Sequence, residues 1–244
     1  MQRLYRSHAS RRRWLWVAAI LWPAAANVAT ADELRPFTAS YHWIWRGMTV
    51  ASTTLQLEQT GDTWTYTSKS EPRGIGKVMP QRPRTVSVLR VTGDGVQPLS
   101  YKGDDGTSSS KRTIDVTYDW NAHRVTGVYE QVQVDLPLQP GVQDDSSVQI
   151  AMMVELLQGR TPEKFSVLDK NGVREYQYRR EGEQTVQTPF GKVATVIYSS
   201  QRANSPRINR YWCAPDRGYI PMRVQQKVGD DVQWTMEIQS LKRS

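Results

Sequence analysis

The most constraining feature of the sequence is an alternation of apolar and polar residues with a period of two. It is clearest in the segment 37–46, where Phe37, Ala39, Tyr41, Trp43 and Trp45 fall at every second position. Successive side chains of a β-strand point to opposite faces, so this alternation predicts a sheet with one buried face. The pattern recurs along most of the chain. We therefore predict a mainly β protein, built as a strongly curved antiparallel sheet or partly open barrel of roughly a dozen strands.

Turn signals separate the alternating segments. The segments 49–59 and 63–70 flank Thr60-Gly61-Asp62, which is typical of a hairpin. Further turns are predicted at residues 93–95, 121–123, 171–172, 181–182 and 229–231. Short connections of this kind indicate a meander of neighbouring antiparallel strands. The sequence has no repeat of fixed period and no linker, so residues 32–244 are predicted to form a single domain.

One segment, residues 144–160, follows a helical period instead. Ile150, Met153, Val154 and Leu157 have the i, i+3, i+4, i+7 spacing of one helix face. Asp144 or Asp145 can cap the start of this helix, and Gly159 and Pro162 end it. A helix this apolar must be covered, and only the sheet is available as its partner. We therefore predict one amphipathic helix packed on the concave face of the sheet.

The N-terminus is predicted to direct export. Five arginines and no acidic residue precede WLWVAAILW, and small residues follow up to Ala31. This order is typical of a secretory signal peptide, here residues 1–31, and indicates a periplasmic protein. A membrane anchor is the alternative, but Pro23 and Asn27 interrupt the apolar run early. Ser10 to Leu15 also leaves open export by the twin-arginine route rather than the general one.

The charge of the chain argues against a nucleic-acid partner, and its cysteine content excludes an internal disulfide. Without the five N-terminal arginines the chain has 27 basic and 24 acidic residues, which removes the electrostatic argument for a nucleic-acid partner. The single cysteine, Cys213, forms no internal disulfide and is predicted to be buried in a strand. The sequence predicts a monomer that is at most peripheral to a membrane.

No catalytic, metal or cofactor signature is convincing, and we predict no cofactor. Ser108 to Lys111 has the Ser-x-x-Lys spacing of penicillin-recognising enzymes, but it lies between strands rather than at a helix start. His42 and His123 are the only histidines after residue 31. The segments 104–106 and 169–172 contain fragments of a calcium loop without its full ligand spacing, so both are predicted to be hairpin turns.

Two features point to a ligand-binding site. The loop from Pro72 to Thr85 contains four basic residues and no acidic one, and such a loop suits phosphate or sulfate groups. The first strands carry an aromatic stripe that suits sugars or acyl chains. The alternatives are a solvated connection and core packing. The predicted ligand-binding residues are Tyr41, Trp43, Trp45, Trp64, Arg73, Lys77, Arg82 and Arg84.

Three stretches resemble a known family. They are the aromatic first strand with its turn at Gly47, the VQDDSS sequence that leads into the helix, and YWCAPDRGYIPMRV at residues 211–224. Together they resemble the exported bacterial family catalogued as domain of unknown function 3108, over about residues 36 to 242. The resemblance implies a periplasmic, mostly antiparallel β fold without established activity, with Asp145, Ser147 and Pro221 in structural roles. By analogy of fold alone, it also implies a likeness to periplasmic lipoprotein carriers.

Three functional hypotheses follow. The first is a non-catalytic binding or carrier module for an apolar or amphipathic envelope ligand, a lipid or glycan, held in a cleft beside the helix. The second is a structural or assembly factor that binds an envelope protein through a strand edge or rim. The third is a hydrolase of an envelope polymer, which would need a close pair of carboxylates among Glu58, Glu71, Asp115 and Asp119.

Overall fold

The computed structural model describes residues 33–243, which form a single curved β-sheet around one α-helix. The predicted mainly β architecture is confirmed, with fifteen strands instead of roughly a dozen. The predicted signal peptide lies outside the described residues. The strands are β1 Phe37–Trp45, β2 Met48–Thr60, β3 Thr63–Pro72, β4 Arg84–Thr92, β5 Gly95–Asp104, β6 Ile114–Asp119, β7 Arg124–Tyr129, β8 Val132–Pro137, β9 Val142–Gln143, β10 Lys164–Asp169, β11 Gly172–Thr188, β12 Gly191–Arg202, β13 Arg207–Ala214, β14 Ile220–Val228 and β15 Asp231–Arg243; the α-helix is α1 Ser147–Leu157.

The sheet consists of two meanders that meet at the first and last strands. Its order is β8-β7-β6-β5-β4-β3-β2-β1-β15-β14-β13-β12-β11-β10-β9. All neighbouring strands are antiparallel except β9 and β10, which pair in parallel through two residues. The pairing of β1 with β15 joins the two meanders in the middle of the sheet. Strands β8 and β9 are its two edges, and no hydrogen-bonded ladder connects them within the described residues.

The two ends of the sheet nevertheless approach each other. Gln143 in β9 donates from Nε2 to the carbonyl of Val96 in β5, at 2.8 Å. Lys170, between β10 and β11, pairs with Glu130, between β7 and β8, at 3.0 Å. The sheet is therefore bent into a barrel-like form that is not closed by strand pairing.

Helix α1 fills the interior of this bent sheet. Ile150 and Met153 pack in a core cluster with residues of β1–β5 and β11–β15, while Met152 and Leu156 pack with Tyr178, Tyr198 and Cys213. Cys213 is buried, as predicted. The helix is buried on nearly all its sides, more completely than the predicted single stripe indicates. Full burial of each large apolar side chain contributes about 1.5–3 kcal/mol.

The start of α1 is fixed by a reciprocal pair of hydrogen bonds. The Asp144 carboxylate accepts the backbone N–H groups of Ser146 and Ser147 at 2.8 and 2.7 Å. The Ser147 hydroxyl accepts the N–H of Asp144 at 2.9 Å, which completes a capping box. Asp145 instead accepts a hydrogen bond from the Tyr129 hydroxyl. Of the two predicted caps, Asp144 is therefore the one that caps the helix.

The antiparallel order places the strand connections at two opposite rims. We call the loop rim the end of the sheet with the connections 46–47, 73–83, 105–113, 130–131, 170–171, 203–206 and 229–230. Of the turns predicted at residues 60–62, 93–95, 121–123, 171–172, 181–182 and 229–231, five connect strands. The sixth, at Glu181-Gly182, is wrong, because these residues lie inside β11 at a shift in the register with β12. Gly182 has φ 147°, a conformation that suits glycine at a bulge and explains why the sequence resembles a turn.

Candidate functional site

Two adjoining apolar clefts open at the loop rim. One has a volume of about 220 Å³ and lies between Trp43, Ala51, Pro72 and Pro83. The other has a volume of about 370 Å³ and is lined by Trp45, Val50, Ile75, Gly76, Met79 and Trp234. Val50 and Met79 line both clefts. The two clefts therefore form one groove, which we call the rim groove. It lies between the loop 73–83 and the ends of β1, β2, β3 and β15.

The loop is held against β2 by backbone contacts. The Arg73 N–H donates to the carbonyl of Val50 at 2.8 Å, and the following residues 74–78 form a short 3₁₀ helix. A Cβ atom at Gly76 would lie 2.0 Å from the Val50 carbonyl oxygen. Only glycine permits this approach, and as a result Ile75 and Met79 stand beside the tryptophans instead of being lifted off the sheet.

The aromatic wall of the rim groove is fixed in orientation. The rings of Trp43 and Trp234 contact each other with centroids 4.6 Å apart. The Trp43 Nε1–H donates to the Thr53 hydroxyl at 2.6 Å, and that hydroxyl is 2.6 Å from the hydroxyl of Ser70. Because the indole N–H is satisfied inside the sheet, Trp43 presents only apolar surface to the groove.

The predicted aromatic stripe divides into two parts. Trp43 and Trp45 line the rim groove, as described above. Tyr41 and Trp64 are instead buried in the core cluster with α1, and the Tyr41 hydroxyl donates to the carbonyl of Pro221 at 2.8 Å. The prediction that Tyr41 and Trp64 line a ligand site is therefore wrong, because both side chains are buried in the core. The rim groove lies at the loop rim, whereas the cleft that borders α1, at Ala151 and Glu155, opens at the opposite rim.

The predicted basic residues lie on or next to the loop 73–83, and none of the four is among the residues that line the two clefts of the groove. Arg82 pairs with Glu71 at 3.5 Å, and the Arg73 Nε donates to the Ser52 hydroxyl at 3.1 Å. Lys77 and Arg84 are exposed and have no ion-pair partner among residues 33–243. Arg46 lies over the Trp45 ring, 4.7 Å from its centroid. The groove thus combines an apolar lining with a positively charged border.

Sequence reasoning missed several groove residues. It named the cations of the loop but not the groove residues Ile75 and Met79, which are 53% and 50% exposed, or the neighbouring Val78, which is 89% exposed and lines neither cleft. The available signal was three large apolar residues among glycines, prolines and cations, where a connecting loop normally carries polar residues. Val50 and Trp234 were missed because only the pairing of β1 with β2 and β15 brings them to Trp45.

Three of the four acidic residues considered for catalysis are engaged in local interactions, and the fourth, Glu58, is exposed. Glu71 pairs with Arg82, Asp115 pairs with Lys102 at 3.2 Å, and Asp119 accepts the backbone N–H groups of its own turn. Ser108 to Lys111 lie in the connection 105–113, as predicted. Within residues 33–243, no three metal-ligating side chains come together.

A larger cleft of about 820 Å³ opens at the rim opposite the loop rim. Several of its polar groups are engaged with the protein itself, although the Oε1 atom of Gln143 is buried without a hydrogen-bond partner among residues 33–243. Glu155 binds Arg160 through two bonds of 2.6 Å, and Trp120 donates from Nε1 to the carbonyl of Pro98 at 2.6 Å. Acidic and basic residues are mixed around it, whereas among the described residues Glu71 is the one acidic residue in the lining of the rim groove, and it pairs with Arg82. The rim groove is therefore the stronger candidate site.

The fold and the groove define a class of barrel-like antiparallel β proteins with an open rim. A solved structure of this class is a β-barrel-like protein of domain of unknown function DUF1849 from Brucella abortus. It is 11% identical, with a TM-score of 0.59 over 86% of this chain and 98% of that chain. A Bacteroides fragilis protein with a YmcC-like fold is 12% identical and matches 86% of this chain and 96% of its own, with a TM-score of 0.35.

The chain belongs to the protein family of unknown function DUF3108, whose family model matches residues 37–237. This confirms the resemblance drawn from the sequence. No curated protein matches the sequence. No helix among the described residues is long and apolar enough to cross a membrane.

Proposed function

We propose that the protein is an exported, non-catalytic binding module that holds an amphipathic ligand of the cell envelope in the rim groove. The apolar part of the ligand lies against Trp43, Trp45, Trp234 and Met79. Its anionic head group lies toward the basic border of the loop. The observation that carries this proposal is the continuous apolar groove bordered by cations. The signal-peptide pattern of residues 1–31 supports export to the periplasm.

The dimensions and chemistry of the groove favour a chain-like apolar group. Ligand sites are typically concave, mostly apolar and about 300–1,000 Å³ in volume, and the larger of the two clefts is within that range. The groove walls present few polar atoms, since the Trp43 N–H is already satisfied. Sugars need several hydrogen bonds for recognition, so an acyl or isoprenoid chain fits these walls better than a glycan does.

The charge on the border selects the head group. The loop 73–83 has Arg73, Lys77 and Arg82, and no acidic residue. A phosphate or carboxylate at the groove mouth can form charge-assisted hydrogen bonds with such groups, each of about 1.5–3 kcal/mol. A cationic head group would be repelled at the same place.

The first test uses dodecyl phosphate brominated near its chain end, because bromine quenches nearby tryptophan emission. We expect quenching that saturates with concentration, since three tryptophans line the groove. Brominated dodecyltrimethylammonium has a similar chain and the opposite charge. We expect it to bind at least about tenfold more weakly, which corresponds to loss of one charge-assisted contact.

The matched variants are Val50→Glu and Val173→Glu. Val50 lines both clefts, whereas Val173 is an exposed valine of β11 that lines neither. We expect Val50→Glu to abolish quenching and Val173→Glu to leave it unchanged. Equal binding by the two variants would show that the ligand is held elsewhere, and no quenching of the unsubstituted chain would refute the proposal.

A further inference from the structure

The loop rim concentrates the exposed large apolar side chains of the described residues. Nine such side chains are exposed, and eight of them belong to residues at or next to connections of this rim. The exception is Phe190, at the opposite rim. The eight residues are Trp45, Met48, Ile75, Val78, Met79, Val132, Val173 and Val232.

The arrangement is polarised because of the topology. Every connection of an antiparallel sheet lies at one end or the other, so apolar residues in five separate connections share one end of the molecule. Isolated exposed apolar residues are ordinary, but a cluster at one end of a protein marks an interaction surface. Val78 is the most exposed of them, at 89%, and lines neither cleft of the rim groove.

Positively charged residues lie on the same connections as these exposed apolar side chains. Arg46, Arg73, Lys77 and Arg82 occupy the turn 46–47 and the loop 73–83, which contain no acidic residue. Three acidic residues of this rim lie near cations: Glu71 pairs with Arg82, Glu130 pairs with Lys170, and Asp230 lies 3.8 Å from Lys227. Asp104, Asp105, Asp169 and Asp231 also lie at or next to its connections. Apolar side chains that insert between lipids, with cations level with the phosphates, are the pattern of a protein that lies on a membrane surface.

We propose that the loop rim docks onto an anionic phospholipid bilayer, with Val78, at the tip of the loop 73–83, inserted among the acyl chains. The charge complementarity of the border selects this partner over a neutral membrane. The inference goes beyond the proposed function, because it depends on the loop tip, whereas ligand binding depends on the groove. Docking would place the groove mouth at the lipid surface, where an amphipathic ligand could enter from the bilayer.

The test is sedimentation of the compact unit Ala31–Ser244 with vesicles, which avoids binding through the apolar N-terminal segment. One set of vesicles contains phosphatidylcholine with one quarter phosphatidylglycerol, and the other contains phosphatidylcholine alone. We expect binding to the first set and at least about fivefold weaker binding to the second, because each cation near an anionic surface contributes about 1 kcal/mol. The emission of Trp45 should shift to shorter wavelength on binding.

Two matched substitutions locate the contact. We expect Val78→Asp to weaken vesicle binding at least about tenfold. We expect Phe190→Asp, an equivalent change at the opposite rim, to bind as the unsubstituted chain does. Val78→Asp should also retain dodecyl phosphate binding, since Val78 does not line the groove.

The outcomes separate the two proposals. Vesicle binding by the unsubstituted chain that survives Val78→Asp, or that is equal for both lipid compositions, overturns the docking. Failure to bind any vesicle also overturns it and assigns the apolar rim to a protein partner. If dodecyl phosphate still binds in these cases, the proposed function stands. If vesicles bind as expected but dodecyl phosphate does not, the docking stands and the proposed function fails.

Discussion

At the scale of single residues, Asp144 has the most demanding environment. Its carboxylate is fully buried, where it accepts the two backbone N–H groups at the helix start and the Ser87 hydroxyl at 2.7 Å. Burial raises the pKa of Asp144 to about 6, although these three hydrogen bonds favour the ionised form. The acidic pair at 144–145 is thus a structural feature that ties α1 to β4 and to Tyr129.

We expect Asp144→Ala to lower the free energy of unfolding by about 3 kcal/mol. The substitution removes a helix cap, worth about 1 kcal/mol, and leaves buried donors without a partner. Asp144→Asn retains the oxygen that accepts the two N–H groups, so we expect a loss below about 1 kcal/mol. Urea unfolding at pH 7 measures the loss of unfolding free energy for both substitutions. Equal losses for the two substitutions would contradict the capping role.

The raised pKa of Asp144 also predicts a dependence on pH. In the unfolded chain an aspartate titrates near pH 4, so as the pH falls the folded state takes up this proton first. Asp144 therefore adds stability between about pH 6 and pH 4. We expect the unsubstituted chain to gain on the order of 2 kcal/mol relative to Asp144→Asn over this interval. A difference in unfolding free energy between the unsubstituted chain and Asp144→Asn that stays constant from pH 7 to pH 4 would refute this prediction.

At the scale of elements, α1 is buried on more sides than the spacing of its apolar residues predicts. The spacing of Ile150, Met153, Val154 and Leu157 predicts one apolar face. The structure buries Met152 and Leu156 as well, because the sheet curves around the helix instead of passing on one side of it. The sequence contained this information, since few polar residues interrupt the segment 148–157. A helix that is apolar on all sides is a buried helix.

All-round burial of α1 has a measurable consequence. We expect Met152→Ala and Met153→Ala to lower the free energy of unfolding by similar amounts, about 2–5 kcal/mol each, because the two side chains pack in different core clusters. Glu155→Ala, on the same helix, should cost less than about 1 kcal/mol, because it removes only a partly exposed ion pair. A helix packed on one side alone would tolerate Met152→Ala.

From the sequence alone, the loop 73–83 is distinguished by its basic composition. The position of its apolar residues depends on the contact of Gly76 with the Val50 carbonyl, which brings Ile75 and Met79 next to the tryptophans. Such a contact between a loop and the start of a strand has no sequence period, so no pattern could predict it.

At the scale of the whole molecule, one continuous sheet and one shared helix make the fold a single unit. The larger core cluster draws residues from both meanders, and α1 contacts β5 of one meander and the edge strand β9 of the other. Gln143 and Val96 join the same two strands. Neither meander can therefore retain a complete core without the other.

This arrangement predicts cooperative unfolding of residues 31–244. We expect urea transitions followed by tryptophan emission and by far-ultraviolet circular dichroism to coincide, because the loss of either meander exposes α1. The described tryptophans are distributed over both meanders, including Trp64 in β3, Trp120 after β6 and Trp212 in β13. Two separate transitions would show that the meanders unfold independently.

The sequence by itself determined the mainly β character, most of the strand connections and the presence of one helix that must be covered, because these depend on periodicities that are local along the chain. The family resemblance came from three specific stretches and not from a period. Only the tertiary structure decided which aromatic residues are available to a ligand. Tyr41 and Trp43 occupy equivalent positions in the alternation of β1, yet α1 covers the first and leaves the second at the rim. The depth to which a helix fills a curved sheet depends on contacts between residues more than a hundred positions apart, and no local pattern records them.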